Sequence, residues 1–169
     1  ELFPGLQPDG NLLYQLAFRV NSAEETRAWL AAKGVRVPER VPKGRVGNSH
    51  FSIKDPGGLT IEFVQYQPEG RTLSDRGKFV STNAISHRIT HAGISVADVS
   101  AAMGFYRDLL GMKEGWRGSR DGKVLSFMHV TLPESGDYLE YMLAQKKPEA
   151  RDLAAHFCLQ VPDMARAKE

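Results

Sequence analysis

The chain has 169 residues, 41% hydrophobic and 25% charged, with a formal net charge of +2, a balance expected of a soluble globular protein of one or two small domains. Its 22 Lys and Arg are scattered among 20 Asp and Glu, with QKKPEAR the nearest approach to a cluster, so the basic pI points to a mixed solvated surface and away from nucleic acid. No apolar run approaches the ~20 residues that span a bilayer, the start ELFPGLQPDGNLLYQ lacks a signal peptide's regions, and a single cysteine, Cys158, excludes an internal disulfide and suits a reducing cytoplasm.

The first element is a strand in QLAFRVNSAEE, from Gln15, where Leu16, Phe18 and Val20 share one face while Gln15, Ala17 and Arg19 share the other. Ser22 sits where a helix N-cap belongs, and AEETRAWLAAKG follows with early acids and Gly34 as a stop. VRVPERV, SHFSIKDPGG and LTIEFVQY then read as three strands, with DPGG as the turn between the last two. The segment PEGRTLSDRGKFVSTNAIS, rich in Gly, Ser, Arg and Asp, reads as a linker or crossover.

The same order then begins again. HAGISVADVSA, from His91, aligns with the first strand: His replaces Gln, Val96 matches Val20, and Asp98 matches Ser22 as N-cap. Val99, Met103, Tyr106 and Leu110 fall at helical spacing before Gly111. Three strands follow in MKEGWRG, KVLSFMHVTLPESG and DYLEYMLA. A third start, HFCLQVPDMAR from His156, repeats the spacing with Val161 and Asp163 and runs to Glu169 inside its first helix, so further chain or strands from elsewhere are expected to complete it. In all three strands one face is apolar and built to be covered, and the opposite face is polar or small, suited to lining a space. The units are therefore 12–68, 88–146 and 153–169, with 69–87 as the linker, each complete unit reading β-α-β-β-β.

These repeats, HAGISVADVSAAMGFYRDLLGM and FSIKDPGGLTIEF together resemble the vicinal oxygen chelate superfamily, which includes glyoxalase I, methylmalonyl-CoA epimerase, extradiol dioxygenases and bleomycin-resistance proteins. The resemblance implies an α+β fold in which two βαβββ units curl into a half-barrel around a metal cleft. It also implies that ligands come from the first and last strands of a unit. Carried over, the first-strand position falls on Gln15, His91 and His156, and the last-strand position on Glu62 and Glu140. An acid in the middle of an apolar strand is costly unless its charge is compensated, and a divalent cation would do so. Imidazole, carboxylate and amide oxygen suit Zn, Fe, Mn, Ni or Co, and the lack of thiolates argues against a closed structural zinc site.

Two pairings of units follow from the resemblance. If the first and second pair, the set is Gln15, Glu62, His91 and Glu140, all present; this preferred reading is a lyase or isomerase that stabilises an enediolate of a small oxygen-chelating substrate, with Glu62 or Glu140 as general base. If the second and third pair, His91 and His156 would ligate Fe(II) in an extradiol-type dioxygenase, with the carboxylate lying beyond Glu169. The third reading is a metal-free binding protein of the bleomycin-resistance type. A small-molecule substrate is the expected partner, and a homodimer is one way to complete the third unit. His50, His87 and His129 carry no spacing argument and are expected to be structural or solvent-exposed. Phe105, Tyr106 and Trp29 are expected in the core, Cys158 as a small buried residue, and Arg19 towards the cleft, where it could meet an anionic substrate group.

Overall fold

A computed structural model describes residues 13–86, 88–143 and 155–168, so that His87 and the QKKPEAR segment lie outside the described residues. The chain forms two compact units, one of residues 14–83 and one built on residues 84–169. Both are mixed sheets with few helices, an α+β architecture.

In unit 14–83, β1 (Gln15–Arg19), α1 (Ala23–Ala32), β2 (Ser49–Lys54) and β3 (Thr60–Gln65) are followed by one short helix, α2 (Arg71–Ser74). The sheet order is β1-β3-β2, with β1 parallel and β2 antiparallel to the central β3. Alternation decides the faces: Phe51, Ile53, Ile61 and Phe63 are buried with Leu30 of α1, and Phe63 stacks between Phe18 and Phe51 at 6.2 and 5.2 Å. The Ser22 hydroxyl caps α1 by accepting from Glu25 N–H at 3.2 Å, a contribution of about 1 kcal/mol. Across the DPGG turn, Asp55 accepts from Leu59 N–H at 2.8 Å, and Gly58 takes the positive φ of 90° that a glycine accommodates without strain.

Two expectations fail here. VRVPERV forms no strand, and the only pairing near it is a single bridge between Lys43 and Ser49; Pro38 and Pro42 lack the N–H that a ladder needs. Trp29 is 44% exposed, because the helix turns Leu30, its neighbour about 100° further round, towards the sheet. The start of the expected linker is tied down: the buried Asn48 donates to Thr72 at 2.7 Å and accepts from Gln67 N–H at 3.2 Å, while Arg71 N–H donates to the Val46 carbonyl at 2.8 Å.

In the second unit, β4 (Arg88–Val96), α3 (Val99–Met103) with its π-helical continuation Gly104–Leu109, β5 (Lys113–Ser119), β6 (Leu125–Thr131) and β7 (Tyr138–Leu143) give the expected order β-α-β-β-β, and β8 (His156–Gln160) follows. The sheet order is β5-β6-β7-β4-β8. Strand β4 lies between β7, to which it is parallel, and β8, to which it is antiparallel. Ile94, Val96, Met128, Val130, Leu139 and Tyr141 fill one face, and Tyr106 from the helix packs on Tyr141 with ring centroids 5.9 Å apart, both fully buried. Phe105 and Tyr106 are thus core residues, as expected. Asp98 caps α3 through Ala101 N–H at 2.9 Å, and Asp163 accepts from Ala165 and Arg166 N–H at 2.8 and 3.2 Å above a single 3-10 turn (Arg166–Lys168). The apolar face of β8 stays open, with Phe157 63% and Leu159 41% exposed, since no described helix lies over it.

The β5–β6 turn rests on Asp121, whose Oδ1 accepts from Ser119 Oγ at 2.8 Å and from the backbone N–H groups of Lys123 and Val124 at 2.9 and 3.0 Å. These bonds, the two backbone ones foremost, pull its carboxyl down to about 2 from 3.8. A depressed carboxyl stabilises the fold above its unfolded value and loses that contribution as pH falls towards the folded one. Urea midpoints are therefore expected to fall less steeply between pH 4 and 2 in Asp121→Asn than in the wild type; identical slopes would show the turn to be energetically idle.

Candidate metal centre

The open face of the five-stranded sheet is where polar side chains gather. Side chains alternate along a strand, so with Ile94, Leu139, Met128 and Val130 in the core, His91, Gly93, Tyr138, Glu140 and His129 fall on the other side. Lateral register then makes a row: Trp116 of β5 pairs with His129 of β6, His129 with Glu140 of β7, Glu140 with Gly93 of β4, and Gly93 with His156 of β8. His91 lies one step along β4, opposite Tyr138 on one side and Cys158 on the other.

The row brings three donors together. His156 Nε2 is 3.2 Å from Glu140 Oε2 and 3.2 Å from His91 Nε2, and His91 Nε2 is 3.8 Å from the same carboxylate oxygen. Donors bound at about 2.1 Å to one ion lie roughly 3.0–3.4 Å apart at angles of 90–109°; the two distances from His156 fall in that range, and the third, 3.8 Å, corresponds to a wider angle of about 130°. A second observation agrees. A Cβ on Gly93 would lie 2.2 Å from His156 Cε1 and 2.4 Å from its Nδ1, so the imidazole occupies the space that the missing side chain leaves. Among the described residues, His91, Glu140 and His156 are the one group of three or more His, Cys, Asp or Glu close enough to share a metal ion.

Electrostatics favour the same use. His91 is only 11% exposed; burial holds its imidazole below the usual value, opposed by Glu140 and aided by His156 and His129. A neutral imidazole keeps the lone pair that a metal needs. Burial, with Glu140 and Cys158 adding to it, raises the Tyr138 phenol, so this ring is neutral as well. It lies between two imidazoles, 4.5 Å from His91 and 4.2 Å from His129, nearly parallel to both. Trp116 extends the aromatic wall, 5.0 Å from His129.

His129 was missed by the spacing argument, yet its Nε2 is 3.4 Å from Glu140 Oε1. Its parity in SFMHVTL, between the core residues Met128 and Val130, is the signal that places it on the open face. His50 was missed in the same way: its Nδ1 is 2.8 Å from Glu62 Oε1 in unit 14–83. There Gln15 Nε2 donates to Glu62 Oε2 at 3.2 Å, so the two expected ligands of that unit meet each other. Arg19 lies 5.3 Å above the Tyr66 ring, and Cys158 is half-buried beside His91.

Fold and site together define a mixed-sheet protein with a candidate His–Glu–His metal centre on one sheet face. Residues 88–169 match the family model of the Glyoxalase/Bleomycin resistance protein/Dioxygenase superfamily. No curated protein matches. Solved structures of similar fold include a variant of homoprotocatechuate 2,3-dioxygenase from B. fuscum, 21% identical over 76% of this chain and 36% of that one, TM-score 0.55. The 2,3-dioxygenase LapB from Pseudomonas sp. KL28 is 18% identical over 79% of this chain and 50% of that one, TM-score 0.58. A hypothetical protein from Staphylococcus aureus is 10% identical over 78% and 53%, TM-score 0.57. At these identities the likeness is one of fold, and the chain spans about half or less of the length of these three proteins. No described helix is long and apolar enough to cross a membrane.

Proposed function

We propose that the chain carries the metal half-site of a ring-cleaving dioxygenase of the extradiol type, with His91, His156 and Glu140 holding Fe(II). The observation that carries this reading is the set itself, two imidazoles and one carboxylate with donor atoms 3.2–3.8 Å apart. Such a set leaves open positions on Fe(II) for two vicinal oxygens of a substrate and for O₂. The dioxygenase pairing expects its carboxylate beyond Glu169; in this reading Glu140 takes that role. The curled half-barrel is proposed on the same ground, because β8 joins β4 edge to edge as the first strand of a facing unit would.

The chain's own groups then divide the work. Glu140 is the one acid among three imidazoles and keeps the site attractive to a cation. His129 stands next to Glu140 but outside the three-donor group, placed to accept a proton from a substrate hydroxyl. Trp116, half exposed beside His129, offers an aromatic surface against which a planar ring can lie. Gln15 and Glu62 serve unit 14–83 by holding each other.

The test is elemental analysis of the full-length protein together with O₂ uptake on catechol. Iron with catechol-dependent uptake and a ring-opened product is expected. Zinc, nickel or cobalt with proton exchange on an α-hydroxy carbonyl adduct would establish the lyase or isomerase reading instead, and no bound metal would favour a binding protein.

A further inference from the structure

Tyr138 has no ligand atom in the three-donor set, yet it touches two of the rings around it. It begins β7, opposite His91 on β4 and opposite Thr131 on β6, two residues before Glu140 and on the same face. Its ring plane is 18° from that of His91 and 20° from that of His129. The Nε2 atoms of those two histidines approach the two oxygens of one carboxylate, Glu140, at 3.8 and 3.4 Å.

A metal-ligating histidine is ordinarily oriented through its second nitrogen, which donates to a carboxylate, carbonyl or water. At His91 that nitrogen, Nδ1, has a long contact of 3.4 Å with the Thr90 hydroxyl, a weak constraint on the ring. The stacked phenol, with its centroid 4.5 Å from that of the imidazole, is the broader contact. An imidazole rotates about χ2 in a broad well unless something holds its plane, and a neutral aromatic plate on its face does so without competing for the lone pair.

We propose that Tyr138 is a positioning residue of the metal centre: stacked between His91 and His129, it sets both ring planes so that their Nε2 atoms converge on Glu140. The proposal rests on the reading of His91, Glu140 and His156 as ligands. The hydroxyl has no part in it; the ring does.

The experiment measures Co(II) and Zn(II) affinity of the full chain by competition with a chelator, and the visible spectrum of the Co(II) form, for wild type, Tyr138→Phe, Tyr138→Leu and Tyr138→Val. The last is β-branched and suits a strand, so a folding failure of the Leu variant leaves a second ring deletion to measure. Tyr138→Phe is expected to bind and absorb as the wild type does. The ring deletions are expected to lose roughly 10–100-fold in affinity, the range for outer-shell partners of ligating histidines, with altered Co(II) bands and unchanged circular dichroism. Wild-type affinity and spectrum in a folded ring deletion would overturn the proposal alone. A wild type that binds neither metal would overturn the ligand reading and this inference with it, and a loss in Tyr138→Phe equal to that in Tyr138→Leu would transfer the role to the hydroxyl and refute the stacking account.

Discussion

Replacing Gly93 by alanine is expected to displace His156 from the metal group and to lower metal affinity by at least the roughly 10–100-fold seen for outer-shell disruption, with the sheet still folded. Gly93 is buried at the centre of β4, between Glu140 on β7 and His156 on β8. The added methyl would stand 2.2 Å from His156 Cε1, far inside van der Waals contact. What it meets is the end of a side chain on an edge strand and not backbone, so the imidazole yields and the ladder survives. The position of His156 Nε2, 3.2 Å from both His91 Nε2 and Glu140 Oε2, is what is lost. Chelator competition for affinity and urea unfolding for stability separate the two consequences. A Gly93→Ala protein that binds metal as tightly as the wild type would show that His156 is not a ligand.

The second large effect is expected at the ligands. Glu140→Ala removes the single negative charge of the set, and His91→Ala removes its most buried donor; each should lower metal content more than the Gly93 change does. Glu140→Gln preserves shape and tests charge alone. Because Glu140 is the chief influence raising His91 against the effect of burial, its neutralisation pushes the His91 imidazole further towards the neutral form. A loss of metal in Glu140→Gln is therefore due to the missing carboxylate and not to a protonated His91. Metal analysis of the purified variants provides the readout, and unchanged content in His91→Ala or Glu140→Ala would refute the centre.

Much of this site is written locally. The five-residue step from His91 to Val96 and the seven-residue step to Asp98 define strand, parity and cap, and each of those is decided by neighbours a few residues away. That is why the strand starting at Gln15, its copy at His91 and the copy at His156 are all found as strands, and why Ser22, Asp98 and Asp163 are all found accepting N–H groups. Parity likewise puts Glu140 opposite the core. The same local logic fails at VRVPERV, where alternation is present but Pro38 within it and Pro42 just after it lack the donors, and at Trp29, where hydrophobicity alone says nothing about which side of the helix meets the sheet.

The sequence by itself determined where the strands that begin at Gln15, His91 and His156 lie, their faces and the residue types offered to a cation. Only the tertiary structure decided which of those residues meet, because side-by-side strand pairing joins segments far apart in the chain and no local spacing encodes which edges will pair. With β7 on one edge of β4 and β8 on the other, Glu140 and His156 come to flank a glycine small enough to let an imidazole reach across it. The same pairing brings His129 to Glu140 and slides Tyr138 between two imidazoles. In unit 14–83 it turns Glu62 towards Gln15, whose amide donates to it, and towards His50, whose Nδ1 lies 2.8 Å away.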